Sequence, residues 1–314
     1  MQPLVIIVGP TAVGKSALGV ELALKVNGEI ISGDSVQVYK KLNIGSAKPT
    51  PAEQKGIKHH LIDFLDPAEP FNVAIFQTYA HDLIKSIKDQ GKVPIIVGGT
   101  GLYIRSITDN FNFPQKGSED YKAKWLKFAK LYGNKKLHSL LEKYDPKSAE
   151  IIHVNDTTRL IRALEVLEIT GKPLSVQRNY NEKKYPELDK SIVYVGLEAP
   201  RQYLYERINQ RCMDMVNNGI IEEVMQLLKE GYSPKIKSLQ SIGYRHALYF
   251  VYGLVTLEEM IRLFQRDTRH FAKRQLTWFK RDPRIKWYNI CENSLNDIVY
   301  DIYNTCREIQ TCVE

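Results

Sequence analysis

The stretch Leu4-Val5-Ile6-Ile7-Val8-Gly9-Pro10-Thr11-Ala12-Val13-Gly14-Lys15-Ser16 decides the fold. Its first five residues are an unbroken apolar, mostly β-branched run, the composition of a strand buried on both faces of a parallel sheet. Gly9 to Ser16 fits the P-loop pattern G-x-x-x-x-G-K-[ST], and Ser16 to Val26 reads as a helix, so the pattern sits in the strand–turn–helix setting it requires. There, glycines let successive backbone N–H groups wrap a phosphate and the helix N-terminus adds the positive end of its dipole. Lys15 adds a point charge, and Ser16 can hold Mg²⁺. The loop binds a diphosphate or a triphosphate, without stating which.

Outward from this stretch, Glu29 to Ser32 reads as a second short strand. Asn72 is placed to cap a helix from Val73 to Asp89, ended by Gly91, and Val93 to Val97 is a third buried strand stopped by Gly98-Gly99. Strands alternating with helices imply right-handed βαβ units and a parallel sheet covered on both faces. The texture changes at Phe113-Pro114. From Lys116 to Lys190 only helical runs remain: Tyr121 to Tyr132, Lys135 to Tyr144, and Thr157 to Thr170, the last stopped by Gly171-Lys172-Pro173. Strand character returns from Ser191 to Leu197, and helices dominate after Arg201. The expected architecture is a P-loop NTPase-like α/β core over 1–113 and 191–314, split by an all-helical insertion at 114–190.

Composition limits the classes open to this chain. Its 314 residues suggest two domains or one with a large insertion, and 43% hydrophobic with 25% charged residues exclude disorder as the main state. No apolar run reaches membrane-spanning length and no signal peptide opens the chain, so a cytosolic protein is expected. Cys212, Cys291, Cys306 and Cys312 contain no Cys-x-x-Cys and read as reduced thiols. The net charge of +8 favours a polyanionic partner only where it clusters.

It does cluster. Lys116 to Lys136 holds seven lysines against Glu119 and Asp120, and Arg262 to Lys286 holds nine Lys or Arg against Asp267 and Asp282. In the second run Arg262, Arg266, Arg269 and Lys273 share one helical face. Such a face is either simply solvated or a nucleic-acid track. Arg159 and Arg162, and Arg207 and Arg211, also share helical faces, where ion pairs with Glu165 or Glu206 are the ordinary outcome.

Two further segments fall at the sheet's carboxyl edge, where open α/β sheets bind ligands. Asp34, following the second strand, can hold Mg²⁺ through water, act as a general base, or cap the next turn. Gly98-Gly99-Thr100-Gly101 brings a hydroxyl near the phosphates. Its glycines suggest close approach to a ligand or to the P-loop, or a plain strand-to-helix turn.

Taken in order, Gly9 to Ser16, Asp34-Ser35-Val36-Gln37-Val38-Tyr39, Asn43 to Pro49, Val97 to Tyr103, Arg159 to Val166, Ile242 to Arg245 and Lys273 to Trp278 resemble the tRNA dimethylallyltransferases, the IPP transferase family. The chain lacks the zinc-finger extension of many eukaryotic relatives, so the bacterial form is expected. The resemblance implies that the P-loop binds dimethylallyl diphosphate instead of using a nucleoside triphosphate. The dimethylallyl group would pass to the N6 amine of the adenosine beside the anticodon. It assigns the diphosphate to the loop from Gly9 through Pro10, Thr11, Ala12, Val13, Gly14 and Lys15 to Ser16, with Arg211 helping, and Mg²⁺ to Ser16. Asp34 would take the amine proton, and Thr100 would lie at the reacting centre with Lys15. The tRNA anticodon stem-loop would contact Asp34, Ser35, Val36 and Gln37, then Thr158, Arg159, Leu160, Ile161 and Arg162, with the insertion as clamp. Arg266, Arg269 and Lys273 are the candidate phosphate contacts, and a monomer is expected. A small-molecule kinase or a prenyltransferase of free adenine nucleotides would share the P-loop and Asp34 but leaves the basic stripes without a task.

Overall fold

The computed structural model describes residues 2–109, 119–177 and 185–311, which divide into two compact units, Met1–Asp109 with Glu187–Glu314, and Asn110–Pro186. The first unit is built on one sheet of six parallel strands: β1 (Leu4–Val8), β2 (Gly28–Ser32), β3 (His59–His60), β4 (Val93–Gly98), β5 (Ile192–Glu198) and β6 (Lys286–Asn289), in spatial order β3-β2-β4-β1-β5-β6. The longer strands β1, β2, β4 and β5 form where the sequence predicts them. β3 and β6 escape a sequence reading because they are edge strands of two and four residues, His-His and Lys-Trp-Tyr-Asn, too short and too polar for a periodic signal.

Period-two alternation gives β1 two faces. Leu4, Ile6 and Val8 join Ile31, Ile96 and the buried residues Phe76, Ala80 and Ile87 in one core, while Val5 and Ile7 join Leu18, Leu22, Ala23, Ile298, Ile302 and Cys306 in the other. Numbering the helices of six or more residues, α1 (Lys15–Val26) and α11 (Leu295–Thr311) cover the second face, and α2 (Val73–Asp89) covers the first. Asn72 caps α2 through its side-chain oxygen, which accepts from the amides of Ala74 and Ile75. Between β4 and the second unit lies α3 (Gly101–Thr108).

Asp109 is the last residue of the first unit's N-terminal part, and it is buried. Its carboxylate meets Arg105 at 2.5 Å and Arg284 at 2.7 Å, and Arg284 also grips Asp282. This network holds the chain in the first unit up to 109, so the division falls before the change of texture at Phe113-Pro114, which lies outside the described residues. On the return, Leu188 already packs in the first unit's core.

In the second unit, α4 (Glu119–Tyr144) breaks at Gly133, whose φ of 77° and ψ of 163° suit glycine alone, so two helical runs meet there. α5 (Pro146–Ile151) starts on Asp145, whose carboxylate accepts from Ser148 and from the Ser175 amide. α6 (Thr157–Thr170) buries Leu160, Ile161 and Leu164 against Leu137 and Leu141.

Returning to the first unit, α7 (Arg201–Asn217), α8 (Ile220–Lys229), α9 (Tyr244–Val251) and α10 (Leu257–Phe279) complete it. No helix among the described residues is long and apolar enough to cross a membrane. Cys212 and Cys306 are buried free thiols and Cys291 an exposed one, while Cys312 lies outside the described residues.

Candidate active site

Strand register builds the site. Val8 lies opposite both Gly98 of β4 and Gly196 of β5, and Ser32 of β2 lies opposite Val97. Because the strands are parallel, the P-loop, Asp34 and Thr100 all emerge at one edge. They line a single cavity of about 410 Å³ with Lys15, Ser16, Arg211 and Gln275, a size suited to a small substrate. Its apolar wall comes from Ile208, Cys212, Met215, Ile242, Phe264 and Phe271. A second groove, about 860 Å³, shares Lys15, Ser16, Pro49, Arg211 and Met215 with the first, so the loop is open from two sides.

The loop's shape follows from its residues. A Cβ on Gly9 would lie 2.5 Å from the Leu197 carbonyl oxygen, and Gly14 has a φ of 101°, so both positions need glycine. Ala12 holds a positive φ of 66°, local strain of the kind found where backbone is arranged around a ligand. α1 begins at Lys15 with no side-chain cap. Among the described residues no hydrogen bond takes the amides of Ala12, Val13, Gly14, Lys15 or Ser16, and no hydrogen bond takes the Ser16 hydroxyl. The amides of Pro10 and Thr11 are different. Pro10 has none, and Thr11 donates to Oε1 of Gln275 at 2.8 Å. Val13 is core, so it can offer only backbone to a ligand.

Lys15 donates to the Pro10 carbonyl at 2.7 Å. Burial pulls its ammonium down to about 7, helped by the Arg211 guanidinium and opposed by Asp34. Arg211 is itself lowered by burial and supported by Asp34, and it reaches the Thr11 hydroxyl at 3.4 Å. Two cations facing one partly enclosed space, with Asp34 near both, leave an unbalanced positive charge for an anion to neutralise. From outside, Arg207 steadies the loop by donating to the Ala12 carbonyl at 2.9 Å.

Asp34 does two things at once. Its Oδ1 accepts from the amides of Val36 and Gln37 at 2.7 and 3.2 Å, the turn-capping use, while Oδ2 has no hydrogen bond among the described residues. Thr100 is the N-cap of α3, yet its hydroxyl makes no capping bond. Ser35 is exposed. The Gln37 side chain is committed to its own chain, accepting from Ser32 and donating to the carbonyls of Ser46 and Ala47. The wall formed by Gly45, Ser46 and Pro49 is fixed by Glu223, whose carboxylate accepts from the amides of Asn43 and Ile44 and from the Tyr244 hydroxyl. No local spacing signals Glu223, which is distant in sequence.

The glycines after β4 admit protein atoms. A Cβ on Gly98 would lie 2.5 Å from the Gly33 carbonyl oxygen, one on Gly99 2.1 Å from Nε2 of Gln275, and one on Gly101 2.2 Å from the Trp278 indole nitrogen. The close approach is therefore made by the β2 turn and by α10, where the sequence suggests a ligand or the P-loop.

Among the candidate RNA contacts, Leu160 and Ile161 are buried in the second unit's core, which leaves Thr158 and Arg159 exposed and Arg162 half-buried. Arg159 meets Asp156 at 3.3 Å and Arg162 meets Glu165 at 2.7 Å. On α10, Arg262 pairs with Glu259 and Arg266 with Asp267. Arg269 donates to Asn209 at 2.6 Å and lies over the Tyr205 ring, knitting α10 to α7, while Lys273 is exposed. Of the other basic run, Lys116 lies outside the described residues.

Comparison with known proteins gives the family. The family model described as IPP transferase matches residues 37–282. The chain is 60% identical, over the full length of both, to a tRNA dimethylallyltransferase of Desulfitobacterium hafniense (strain DSM 10664 / DCB-2). It is similar to the crystal structure of a tRNA isopentenylpyrophosphate transferase from Bacillus halodurans, with 41% identity, 99% of each chain covered and a TM-score of 0.72. It also resembles a eukaryotic dimethylallyltransferase acting on tRNA, with 29% identity, 95% of this chain and 76% of that one covered, and a TM-score of 0.79. With the family matched over most of its length and relatives this similar from end to end, the chain belongs to the IPP transferase family.

Proposed function

We propose that this protein transfers a dimethylallyl group from dimethylallyl diphosphate to the N6 amine of the adenosine beside the anticodon in tRNA, releasing pyrophosphate. The observation that carries the reading is the shared cavity. Thr11, Lys15 and Ser16 of the P-loop, with Arg211, face the same space as Asp34 and an apolar wall. A small-molecule kinase would use the same cavity but leaves the basic stripes without a task.

In the reaction the amine nitrogen attacks C1 of the allyl group, the C1–oxygen bond breaks, and its electron pair leaves with pyrophosphate. The amides of Ala12 to Ser16, Lys15 and Arg211 stabilise the charge that develops on the leaving oxygens. Oδ2 of Asp34 takes the amine proton, held in place by the two amides on Oδ1. The uncommitted Thr100 hydroxyl is available to orient the amine at the reacting centre. An adenine in a structured loop reaches this cavity only by leaving its stack.

Mg²⁺ fits the donors present. Among the described residues no three His, Cys, Asp or Glu converge as a cage, but Mg²⁺ binds through substrate phosphates, water and one or two protein oxygens. Ser16 offers such an oxygen in this cavity. When bound, the ion would neutralise diphosphate charge.

For tRNA, Thr158, Arg159 and Arg162 in the second unit and Arg266 and Lys273 in the first are the phosphate-facing candidates. Exposed ion pairs are worth only ~0–1 kcal/mol, so Arg266 can exchange Asp267 for a phosphate at little cost. Arg269 is already used in packing. The proposal takes the protein to act as a monomer, in the cytosol where tRNA is found.

The function is tested by labelled dimethylallyl diphosphate offered with tRNA, with AMP, and with no acceptor. Label is expected in tRNA alone. Asp34→Asn should lower the single-turnover rate ~10²-fold with both substrates still bound. Label appearing in AMP, or an Asp34→Asn variant that turns over near the parent's rate, contradicts the reading.

The pH dependence follows from Lys15. A bound diphosphate favours the ammonium form, so affinity is full below about 7 and falls as pH rises through it, by up to ~10-fold per pH unit. Lys15→Arg keeps its charge and should remove this fall, whereas a fall that persists would remove Lys15 as its cause, because ionisation of the diphosphate itself adds negative charge and strengthens binding as pH rises. Titration calorimetry across the range reads both.

Changing Arg266 and Lys273 together to Gln should flatten the log–log salt dependence of tRNA binding by ~1.4–1.8 units, at ~0.7–0.9 per lost phosphate contact. Dimethylallyl diphosphate binding should be unaltered. An unchanged slope in a folded variant removes these two residues from the RNA track.

A further inference from the structure

Gln275 is a buried polar residue that the reaction above does not use. It lies on α10, is 6% exposed, and has both ends of its amide committed. Oε1 accepts from the Thr11 amide at 2.8 Å and Nε2 donates to the Gly99 carbonyl at 3.0 Å. One planar group thus bridges the P-loop and the turn that carries Thr100. These loops leave β1 and β4, which are neighbours in the sheet, but beyond the strands no ladder bonds hold them to each other.

The neighbouring glycine points the same way. Gly99 has no left-handed φ, so backbone conformation does not exclude a side chain there. What excludes one is Nε2 of Gln275, 2.1 Å from the position of a Cβ; beyond Gln275 itself, the next atom is a Gly9 oxygen at an ordinary 3.5 Å. Position 99 is small because Gln275 occupies the space.

We infer that Gln275 is a positioning residue: its amide sets the P-loop at Thr11 against the turn at Thr100, and so aligns the diphosphate with the attacking amine. The inference rests on the proposed transfer reaction. Binding of either substrate uses groups on one loop or the other, whereas reaction needs both in register, and a displacement of ~1 Å can cost ~10²-fold in rate. Loss of the bridge therefore lowers the chemical step and spares affinity.

The test uses Gln275→Ala, Gly99→Ala and the double variant in the full chain. An alanine methyl at 99 displaces only the end of a flexible side chain, so Gly99→Ala should fold with a thermal midpoint near the parent's even if Gln275→Ala does not. Each single variant is expected to lose at least ~10-fold in single-turnover transfer at saturating substrates, with both dissociation constants within ~3-fold of the parent's. Because the methyl acts only through Gln275, the double variant should be no slower than Gln275→Ala alone. Hydrogen exchange at the Thr11 amide should quicken in all three, a readout independent of turnover. A parent that does not prenylate tRNA refutes the proposed function instead, and exchange then still reports on the bridge. Single-turnover rates near the parent's, losses confined to affinity, multiplied losses in the double variant, or unchanged exchange would each overturn the positioning role.

Discussion

Everything at this site depends on the register of β1 between β4 and β5. Pairing Val8 with Gly98 makes β1 and β4 end together, so the loops that follow them open onto the same space, while β5 runs on to Glu198. A slip of one residue would turn every β1 side chain to the other face and bury the wrong set in each core, and this fixes the register firmly. The chemistry is thus placed by packing that takes no part in it. The first residue after β1 shows how tight the fit is, because a Cβ on Gly9 would strike the end of β5.

The electrostatics follow from this convergence. Arg211 lowers the preference of Lys15 for charge and Asp34 raises that of both cations, so the site is poised by its own charges as well as by burial. In the proposed reaction a diphosphate would resolve the imbalance, and its departure as pyrophosphate would develop charge where donors already stand. Geometry holds Asp34 for its own task. Two backbone amides hold one of its oxygens and leave the other open to a proton.

Local signals carried much of this architecture. The apolar run from Leu4 to Val8, the loop from Gly9 to Ser16 and the Asn72 cap depend on neighbours within a few residues, and each forms as its sequence predicts. The two helical runs separated near Gly133 do the same. What sequence hides is set by distant partners. In sequence the glycines after β4 allow either a close approach or a plain turn, and only the structure shows the atoms approaching, those of Gly33, Gln275 and Trp278, two of them from α10. Helical spacing put Arg269 in a basic stripe, while Asn209 and Tyr205 on α7 give it a packing role. Leu160 and Ile161 lie between arginines in sequence and inside a core in space.

The central claim is that one cavity at the ends of the strands holds the leaving diphosphate and the attacking amine together. It is tested most directly by a crystal structure with an anticodon stem-loop and an unreactive thio-analogue of dimethylallyl diphosphate. The account predicts the diphosphate on the amides of Ala12 to Ser16 with Lys15 and Arg211, and the adenine amine within hydrogen-bonding distance of Oδ2 of Asp34. A diphosphate bound away from that loop, or an amine facing an acceptor other than Asp34, would contradict it.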